Sequence, residues 1–471
     1  MKARGRLGPV VAVLCLCSLT SAMALALMVP LFPDLPKLLG TSTEDASWLV
    51  TVTIVSAAVA TPSLTRLADM FGKRRMAAVA LASMFAGSLL AIVGQSLGVL
   101  IAARALHGCA LAIVPISISI MRDELPRARL NSGVALISAM QAVGAALALT
   151  TTGIIYQVWG WHAVFAVTAL EAIVLLVALF LVVPESPVRT GGRFDFVGTS
   201  LLSALLVAGM LAITKGGHWG WTSRATLGAG LLTVLLLILF IRSQRRATTP
   251  LIDLASTTNR AVVAIDIVAF LAGFALYSNL LSASNFLQAP EATGYGHGLS
   301  ALQVGVLLVP GAVAGFFLAP VSARISSRFG ARATLTIGCS VYVLGYTYRI
   351  FAVETVWQVS VGAAVVACAG MLVLSSSPLV IMGSVPISQT ASANGLNNVM
   401  RYIGMATASA AIAAILTTAF TGADGEASLT GYRVLFVLAI AATIAALIIV
   451  RTVPRGLGRR TVAVVDQGII A

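Results

Sequence analysis

Long apolar segments recur along the whole chain and are separated by short polar stretches. Each segment is about twenty residues long, which as an α-helix spans the roughly 30 Å hydrocarbon core of a bilayer. Membrane β-strands would instead show short segments of alternating polarity. With 59% hydrophobic and 10% charged residues, the chain is predicted to be an all-α polytopic membrane protein and not a soluble globular one.

We predict fourteen membrane-spanning helices from these segments. An even number of spans places both ends of the chain on the same side of the membrane. The predicted spans cover residues 9–31, 47–68, 76–95, 98–121, 133–156, 162–183, 197–214, 224–242, 261–288, 300–322, 333–352, 357–382, 394–418 and 432–451.

The net charge of +14 is distributed unevenly among the connecting segments. If the N-terminus lies in the cytoplasm, 23 of the 30 Lys and Arg residues fall in cytoplasmic segments. This asymmetry follows the positive-inside rule, so it indicates orientation in a cell membrane and no nucleic-acid partner. The other seven are Lys37, Lys215, Arg224, Arg349 and Arg433 on the opposite side, and Arg104 and Arg401 within spans.

Residues typical of catalysis or metal binding are few and scattered. The five cysteines and four histidines show no spacing typical of a metal or redox site. No Ser/His/Asp set and no phosphate-binding loop is present in the sequence. We therefore expect no enzyme activity, no metal and no cofactor.

A charged motif in the first half of the chain has a counterpart in the second half. TRLADMFGKRRM (65–76) aligns with ARISSRFGARAT (323–334) at an offset of 258 residues, and both follow the second span of a six-span block. Such a parallel repeat is typical of transporters built from two related bundles. The predicted domains are a six-helix bundle over 1–183, a linker with two extra helices over 184–260, a six-helix bundle over 261–451, and a cytoplasmic tail over 452–471.

These motifs give the chain a specific resemblance. LADMFGKRRM resembles the loop signature G-x-L-x-D-R-x-G-R-[RK] of the major facilitator superfamily, LIAARALHGCALA (100–112) resembles its R-x-x-Q-G motif, and GLNNVMRYIGMA (395–406) resembles its N-x-x-R-x-x-G motif. With fourteen predicted spans, the chain resembles the drug:proton antiporter branch of EmrB/QacA type within that superfamily. The resemblance implies the major facilitator fold and a proton gradient as the energy source.

The sequence departs from that family pattern at two places. In span 5, GAALALTTTG (144–153) keeps only two glycines of the G-x-x-x-G-P-x-x-G-G motif that antiporters commonly carry. In span 1, Ser21 occupies the place of an acid that the branch often has. The resemblance to a proton-coupled antiporter is therefore weaker than the resemblance in fold.

Three charged residues within predicted spans are candidates for proton coupling, because such residues are costly in hydrocarbon and usually functional. Arg104 is interpreted either as a cation that favours ionisation of a nearby acid or as a packing residue bonded to backbone carbonyls. Asp266 begins a polar stripe on span 9 and is either a protonatable site or an interfacial acid paired with Arg260. Glu171 lies in mid-span, where burial favours the neutral carboxyl, and is either a proton carrier or a structural group.

The charged loop itself is interpreted as a cytoplasmic gate. Asp69 is expected to face the end of a helix in the other half, and Gly72 to allow the tight turn. Lys73, Arg74 and Arg75 are expected to hold the loop at the anionic inner leaflet. The counterpart loop has Ser327 in place of Asp69, so we expect only the first half to supply an acid to a contact between the halves. The complete set of gate candidates is Arg66, Asp69, Gly72, Lys73, Arg74 and Arg401.

The remaining candidates would line a substrate cavity, although most such side chains serve packing. They are Met23, Trp48, His107, Gln141, Tyr277 and Gln288.

Together these features predict a monomeric, bacterial, multi-pass transporter of the cell membrane, with both termini in the cytoplasm. Its expected activity is proton-coupled efflux of amphipathic small molecules, drugs included, by alternating access. The alternatives are a dedicated metabolite or lipid exporter, a proton symporter, and a non-transporting membrane sensor. The sequence does not indicate the substrate, the proton stoichiometry or the role of the two extra helices.

Overall fold

The computed structural model describes residues 7–28, 31, 34–41, 43–186, 194–247, 250–251, 259–416 and 427–454. The predicted tail beyond residue 454 and parts of the predicted linker over 184–260 lie outside these residues. Within them the chain forms helices and no β-strand. The long helices are α1 (Leu7–Ala26), α2 (Thr43–Phe71), α3 (Lys73–Val93), α4a (Leu97–Ala110), α4b (Ile113–Glu124), α5 (Arg127–Trp159), α6 (Trp161–Val182), α7 (Phe196–Trp219), α8 (Arg224–Arg246), α9 (Arg260–Gln288), α10 (Ala301–Phe329), α11 (Ala331–Phe351), α12 (Val356–Met382), α13 (Thr390–Ala414) and α14 (Leu429–Val450).

Twelve of these helices are long and apolar enough to cross a membrane, with α4a and α4b counted as one. The two that are not are α11 and α13, which have 21 and 25 residues. Their length suffices for a bilayer, but α11 carries two arginines, and α13 carries three asparagines and an arginine. The structure thus supports the polytopic all-α class, and the predicted number of fourteen spans is not confirmed.

The predicted repeat is visible at its two central glycines. Gly72 separates α2 from α3 with a φ of 123°, and Gly330 separates α10 from α11 with a φ of 92°. Residues with a side chain rarely adopt these angles. At Gly72 a Cβ atom would also lie 2.7 Å from the Glu185 carboxyl group. The same kind of turn therefore joins two consecutive helices in each half of the chain.

Span 4 was predicted as one helix over 98–121, on which Arg104, Pro115 and Ser119 would share a face, but the observed helix is not continuous. It is interrupted at Leu111 and Ala112, between α4a and α4b. Pro115 follows four residues after Leu111 and has no N–H with which to bond the Leu111 carbonyl. The polar face extending from Arg104 through Pro115 to Ser119 is therefore divided between two helices.

Several pairs of long helices that are distant in the chain pack against each other. Helix α5 packs against α10 and α12, and α2 and α4b pack against α13. Each of these pairs joins the predicted N-terminal bundle to the predicted C-terminal one. Helix α7 packs against α2 and α13 at the same seam, and α8 packs against α7. The extra pair thus lies beside the interface between the two predicted bundles.

Candidate functional site

A cavity of about 190 Å³ lies between the helices of the two predicted bundles. We call it the chamber. Its wall is formed by α1, α2, α4, α5, α9, α10, α12 and α13 and is mainly apolar, with many alanines and leucines. Its polar lining residues are Ser21, Gln141, Tyr277, Asn279, Arg401 and Tyr402.

A second space of about 20 Å³ adjoins the chamber. We call it the cleft. Both spaces are lined by Gln141 and Arg401, so these two residues lie where the chamber meets the cleft. The other polar groups of the cleft belong to Tyr342, Ser377, Asn397 and Asn398.

Close helix packing positions Arg401 at this junction. A Cβ atom at Gly273 of α9 would lie 2.3 Å from the Arg401 carbonyl oxygen, and one at Gly404 of α13 would lie 2.0 Å from the Phe270 carbonyl oxygen. Only glycine permits such an approach of two backbones. The Arg401 guanidinium donates a hydrogen bond to the Asn398 side-chain oxygen, which orients it further.

The predicted cavity residues divide into two groups. Gln141 and Tyr277 line the chamber, whereas Met23, Trp48, His107 and Gln288 line neither space. These four therefore lie outside the two spaces described here. Arg401 was predicted to belong to the gate, and the structure places it on the wall of the chamber.

Packing within the bundle accounts for three of the four displaced residues. The Trp48 ring contacts the ammonium group of Lys215 on α7, 4.4 Å from the ring centre. His107 is fully buried, its Nε2 lies 2.9 Å from the Ser88 hydroxyl oxygen, and the Gln288 amide donates to the Ser284 hydroxyl at 2.8 Å. Lys215 itself was expected in an outer loop, but it is buried within α7.

Arg104 is fully buried and lies among backbone carbonyls. Its guanidinium donates to the Ala24 carbonyl oxygen at 2.8 Å and to the Leu49 carbonyl oxygen at 3.3 Å, and it lies 3.3 Å from the His107 Nδ1. Among the described residues it has no carboxylate partner. This environment matches the packing alternative, in which Arg104 holds α1, α2 and α4a together.

The two acidic candidates lie in different surroundings. Asp266 is buried, and its carboxylate accepts a hydrogen bond of 2.9 Å from the Asn397 side-chain amide. Asn397 lines the cleft. Glu171 is half-buried on α6, beside Leu170 and Val174, which are strongly exposed on the outer surface of the bundle. Asp266 is therefore next to the cleft, and Glu171 is remote from it.

Arg349 is a buried cation that the sequence did not single out as functional. It was counted with the positive charges on the outer side, and it lies near the end of α11 with 2% exposure. Its guanidinium donates to Asn279 Oδ1 at 2.7 Å and to Ser282 Oγ at 3.1 Å, and it stacks on the Phe436 ring at 4.4 Å. Because Asn279 lines the chamber, Arg349 is one side chain away from that space.

At one end of the bundle, Asp69 connects the two predicted halves. Its carboxylate accepts hydrogen bonds of 3.0 Å from both the backbone N–H and the hydroxyl group of Ser392. Ser392 lies in the first turn of α13, where helix N–H groups lack partners within the helix. Residue Gln389, which precedes α13, provides no side-chain cap. The acid of one half thus caps a helix of the other.

Arg122, at the end of α4b, makes a second connection across this end. Its guanidinium donates to the Thr390 hydroxyl, to the Met382 carbonyl oxygen at 2.9 Å and to the Val385 carbonyl oxygen at 3.3 Å. Arg122 directly follows predicted span 98–121 and was therefore expected only as one of the positive charges of the cytoplasmic segments. No sequence signal distinguishes it from the other arginines of the loops, because its partners are mostly backbone carbonyls.

The basic residues of the loop bind acids of the same half. Lys73 is 1% exposed and forms an ion pair of 2.7 Å with Asp123. The Arg74 and Arg75 guanidinium groups lie 3.9 and 3.8 Å from the Glu185 carboxylate. The expected contact with the inner leaflet is therefore incorrect for Lys73. Gly72 provides the turn, and Arg66 is half-buried near the end of α2.

These residues define what we call the basic end of the bundle. There, Asp69 and Arg122 of one predicted half are bonded to the end of α12 and the start of α13 of the other. The counterpart loop has Ser327, whose hydroxyl donates to the Arg324 carbonyl oxygen within its own helix. At this pair of positions, the acid that bonds to the other half is therefore supplied by the first half. The two halves are joined at the basic end, and the chamber lies between them.

Comparison with known proteins places this architecture in a family. The model of the family described as Major Facilitator Superfamily matches residues 14–409. The chain belongs to the Major Facilitator Superfamily. It is therefore a member of a family of multi-pass membrane transporters that carry small-molecule substrates.

Two curated relatives are resistance proteins of bacteria. The multidrug resistance protein Stp of Mycobacterium tuberculosis is 26% identical over 390 residues, covering 82% of this chain and 71% of that protein. The methylenomycin A resistance protein of Bacillus subtilis is 27% identical over 412 residues, covering 85% of this chain and 83% of that protein. The predicted resemblance to drug-exporting members of the superfamily is confirmed at this level.

A solved structure agrees with the fold. The crystal structure of the human organic anion transporter MFSD10 (TETRAN) superimposes with a TM-score of 0.63 at 16% sequence identity, covering 94% of this chain and 99% of that one. At this identity the likeness shows the major facilitator fold alone and carries no information on the substrate.

Proposed function

We propose that this protein exports amphipathic small molecules, drugs included, by alternating access and with a proton gradient as its energy source. The observation that carries the proposal is a mainly apolar chamber between two sets of helices that are bonded to each other at the basic end. In transporters of this architecture, substrate sites lie between repeats that rock against each other. The relatives named as resistance proteins support export of drug-like molecules.

In this proposal the basic end faces the cytoplasm and is closed in the structure described here. Opening the chamber to the cytoplasm requires release of the Asp69–Ser392 and Arg122–Thr390 contacts. The excess of Lys and Arg in the segments at this end supports the orientation, with both termini in the cytoplasm. All fourteen long helices cross the membrane, α11 and α13 within the bundle, and the protein acts as a monomer in a bacterial cell membrane.

We assign the proton to Asp266 in preference to Glu171. Asp266 is buried beside the cleft and is bonded to Asn397, so a change in its charge alters the wall of the binding space directly. Glu171 is half-buried near the outer surface, and no hydrogen bond from it is found among the described residues. A proton drives the cycle only if the inward-open and outward-open states bind it differently. The hydrogen bond between Asp266 and Asn397 of α13 would change when these helices move, so it offers such a difference.

The proposal is tested with inverted membrane vesicles from a host that lacks its own efflux pumps. Vesicles containing the protein, energised with an imposed pH gradient, are expected to accumulate at least one compound of a dye and drug panel. Vesicles with Asp69→Asn are the matched control and are expected to accumulate less. If no compound accumulates in response to the gradient, the export proposal is wrong.

A further inference from the structure

The two connected spaces contain cationic charge and lack acidic charge. Among the described residues that line the chamber or the cleft, Arg401 alone is charged. It forms no ion pair with a described carboxylate. Its bond to the neutral Asn398 side chain leaves the positive charge uncompensated. In surroundings with few water molecules, such a charge acts on a ligand more strongly than it would in bulk water.

Two further arginines add to the positive potential from behind the wall. Arg349 donates to Asn279, which lines the chamber. Arg104 donates to the Ala24 and Leu49 carbonyl oxygens, and the next residues in the chain, Leu25 and Val50, line the chamber. Neither arginine is paired with an acid among the described residues. Asp266 lies behind the cleft wall, where its carboxylate accepts a hydrogen bond from the Asn397 amide. The chamber is therefore unfavourable for a cationic ligand.

The cleft also contains a hydrogen-bond donor that lacks a partner. The Tyr342 side chain is 1% exposed and lines the cleft, and its hydroxyl group has no hydrogen-bond partner among the residues that the structure describes. A buried polar group without a partner is costly, and a ligand acceptor would remove that cost. The cleft volume of about 20 Å³ is enough for a group little larger than a water molecule. It therefore fits the head group of a ligand and not its body.

We infer that the two spaces together bind an amphipathic organic anion with a single carboxylate. The carboxylate occupies the cleft, where the planar guanidinium of Arg401 matches its two oxygens and the Tyr342 hydroxyl donates to one of them. The apolar body occupies the chamber, where Ala, Leu and Met side chains form most of the wall. This assignment of the substrate class rests on the proposal that these spaces hold the transported molecule.

The test measures binding of three probes with the same ring to the full-length protein in lipid nanodiscs. The probes are naphthylacetate, its neutral amide naphthylacetamide and the cationic naphthylethylamine. We expect the acid to bind at least about tenfold more tightly than the other two, since hydrogen bonds to a charged group are the stronger ones. Equal or weaker binding of the acid, or no binding of the acid at all, would overturn the inference.

Variants of the two donors link the preference to the cleft. Arg401→Gln is expected to weaken binding of the acid about 10- to 100-fold and to leave binding of the amide within about twofold. Arg401→Lys keeps the charge without the planar fork, so an intermediate loss is expected. Tyr342→Phe, which removes a hydroxyl group with no other partner, provides a second variant if the Arg401 variants fail to fold. Unchanged binding of the acid in every folded variant would overturn the site.

A parallel transport assay distinguishes failure of this inference from failure of the proposed function. Binding of the acid that depends on Arg401, without export of any compound from the vesicle panel, would contradict export and retain the anion site. Export of compounds from the panel by the wild-type protein, together with binding and export of the acid that are unchanged by Arg401→Gln, would retain export and contradict the anion site.

Discussion

Replacing Asp69 with asparagine should weaken the contact that closes the basic end. The carboxylate is 1% exposed and accepts two hydrogen bonds of 3.0 Å from Ser392 in the other half. Hydrogen bonds to a charged group contribute about 1.5–3 kcal/mol, and those between neutral groups about 0.5–1.5 kcal/mol. Because an amide keeps the acceptor oxygen and loses the charge, the closed arrangement should lose about 1 kcal/mol per bond, or about 2 kcal/mol in total.

This loss corresponds to an increase of about 30-fold in the population in which the contact is open. Hydrogen–deuterium exchange followed by mass spectrometry measures it directly, because the Ser392 N–H is itself one of the donors. In Asp69→Asn, the peptide that contains the start of α13 should exchange about 30-fold faster.

Two matched variants make the measurement specific. Glu185→Gln removes a charge at the same end, but its ion-pair partners Arg74 and Arg75 lie at the start of α3 and not on α13, so exchange at Ser392 should not change. Ser392→Ala removes one of the two donors and should give a smaller increase than Asp69→Asn. An exchange rate at the start of α13 that changes by less than about threefold in Asp69→Asn would refute the contribution of this contact to closure.

Four further substitutions test other parts of the account. Asp266→Asn should abolish the stimulation of transport by a pH gradient while the protein still binds substrate, and undiminished stimulation in vesicles would contradict the assignment of the proton. Glu171→Gln, at a half-buried site away from both spaces, should leave transport within about twofold, whereas loss of coupling there would transfer the proton to Glu171. Lys73→Met leaves the Asp123 carboxylate buried without its cation and should reduce stability by about 3–5 kcal/mol, seen as a lower midpoint of thermal unfolding in detergent. Arg75→Met, at a side chain 63% exposed, should cost at most about 1 kcal/mol, and equal shifts in the two variants would show that burial of the pair is irrelevant.

Local sequence patterns were sufficient to predict the helices and the repeated turn. Apolar runs of membrane length predicted the class, and twelve helices meet the requirement for crossing a bilayer. The alignment of two distant loops predicted equivalent turns, and Gly72 and Gly330 both have positive φ angles there. These features depend on residues close to one another in the chain, so the sequence alone defines them.

The lining of the cavity depended on packing that the sequence does not reveal. Trp48 and Gln141 look equally suitable for a cavity in the sequence, yet Trp48 packs on Lys215 of α7 and Gln141 lines the chamber. The difference arises from the rotation of each helix and from the position of α7 beside α2.

Charges in loops were misinterpreted for a related reason. Lys73 and Arg122 were regarded as surface residues because Lys and Arg are rarely buried. Their partners, Asp123 at 50 positions and the Met382 carbonyl group at 260 positions along the chain, become neighbours only when the helices pack. Arg349 was likewise counted with the charges on the outer side, although it lies within predicted span 333–352, and in the structure its side chain is buried against Asn279 and Phe436.

The central claim is that substrate movement and proton movement are coupled, and a fluorescent pH indicator in energised inverted vesicles tests it most directly. Addition of a substrate to vesicles that hold a pH gradient should discharge that gradient when the wild-type protein is present. Asp266→Asn, made in the same host and at the same protein level, should abolish the discharge. A wild-type protein that accumulates substrate while the gradient remains unchanged would contradict proton-coupled export.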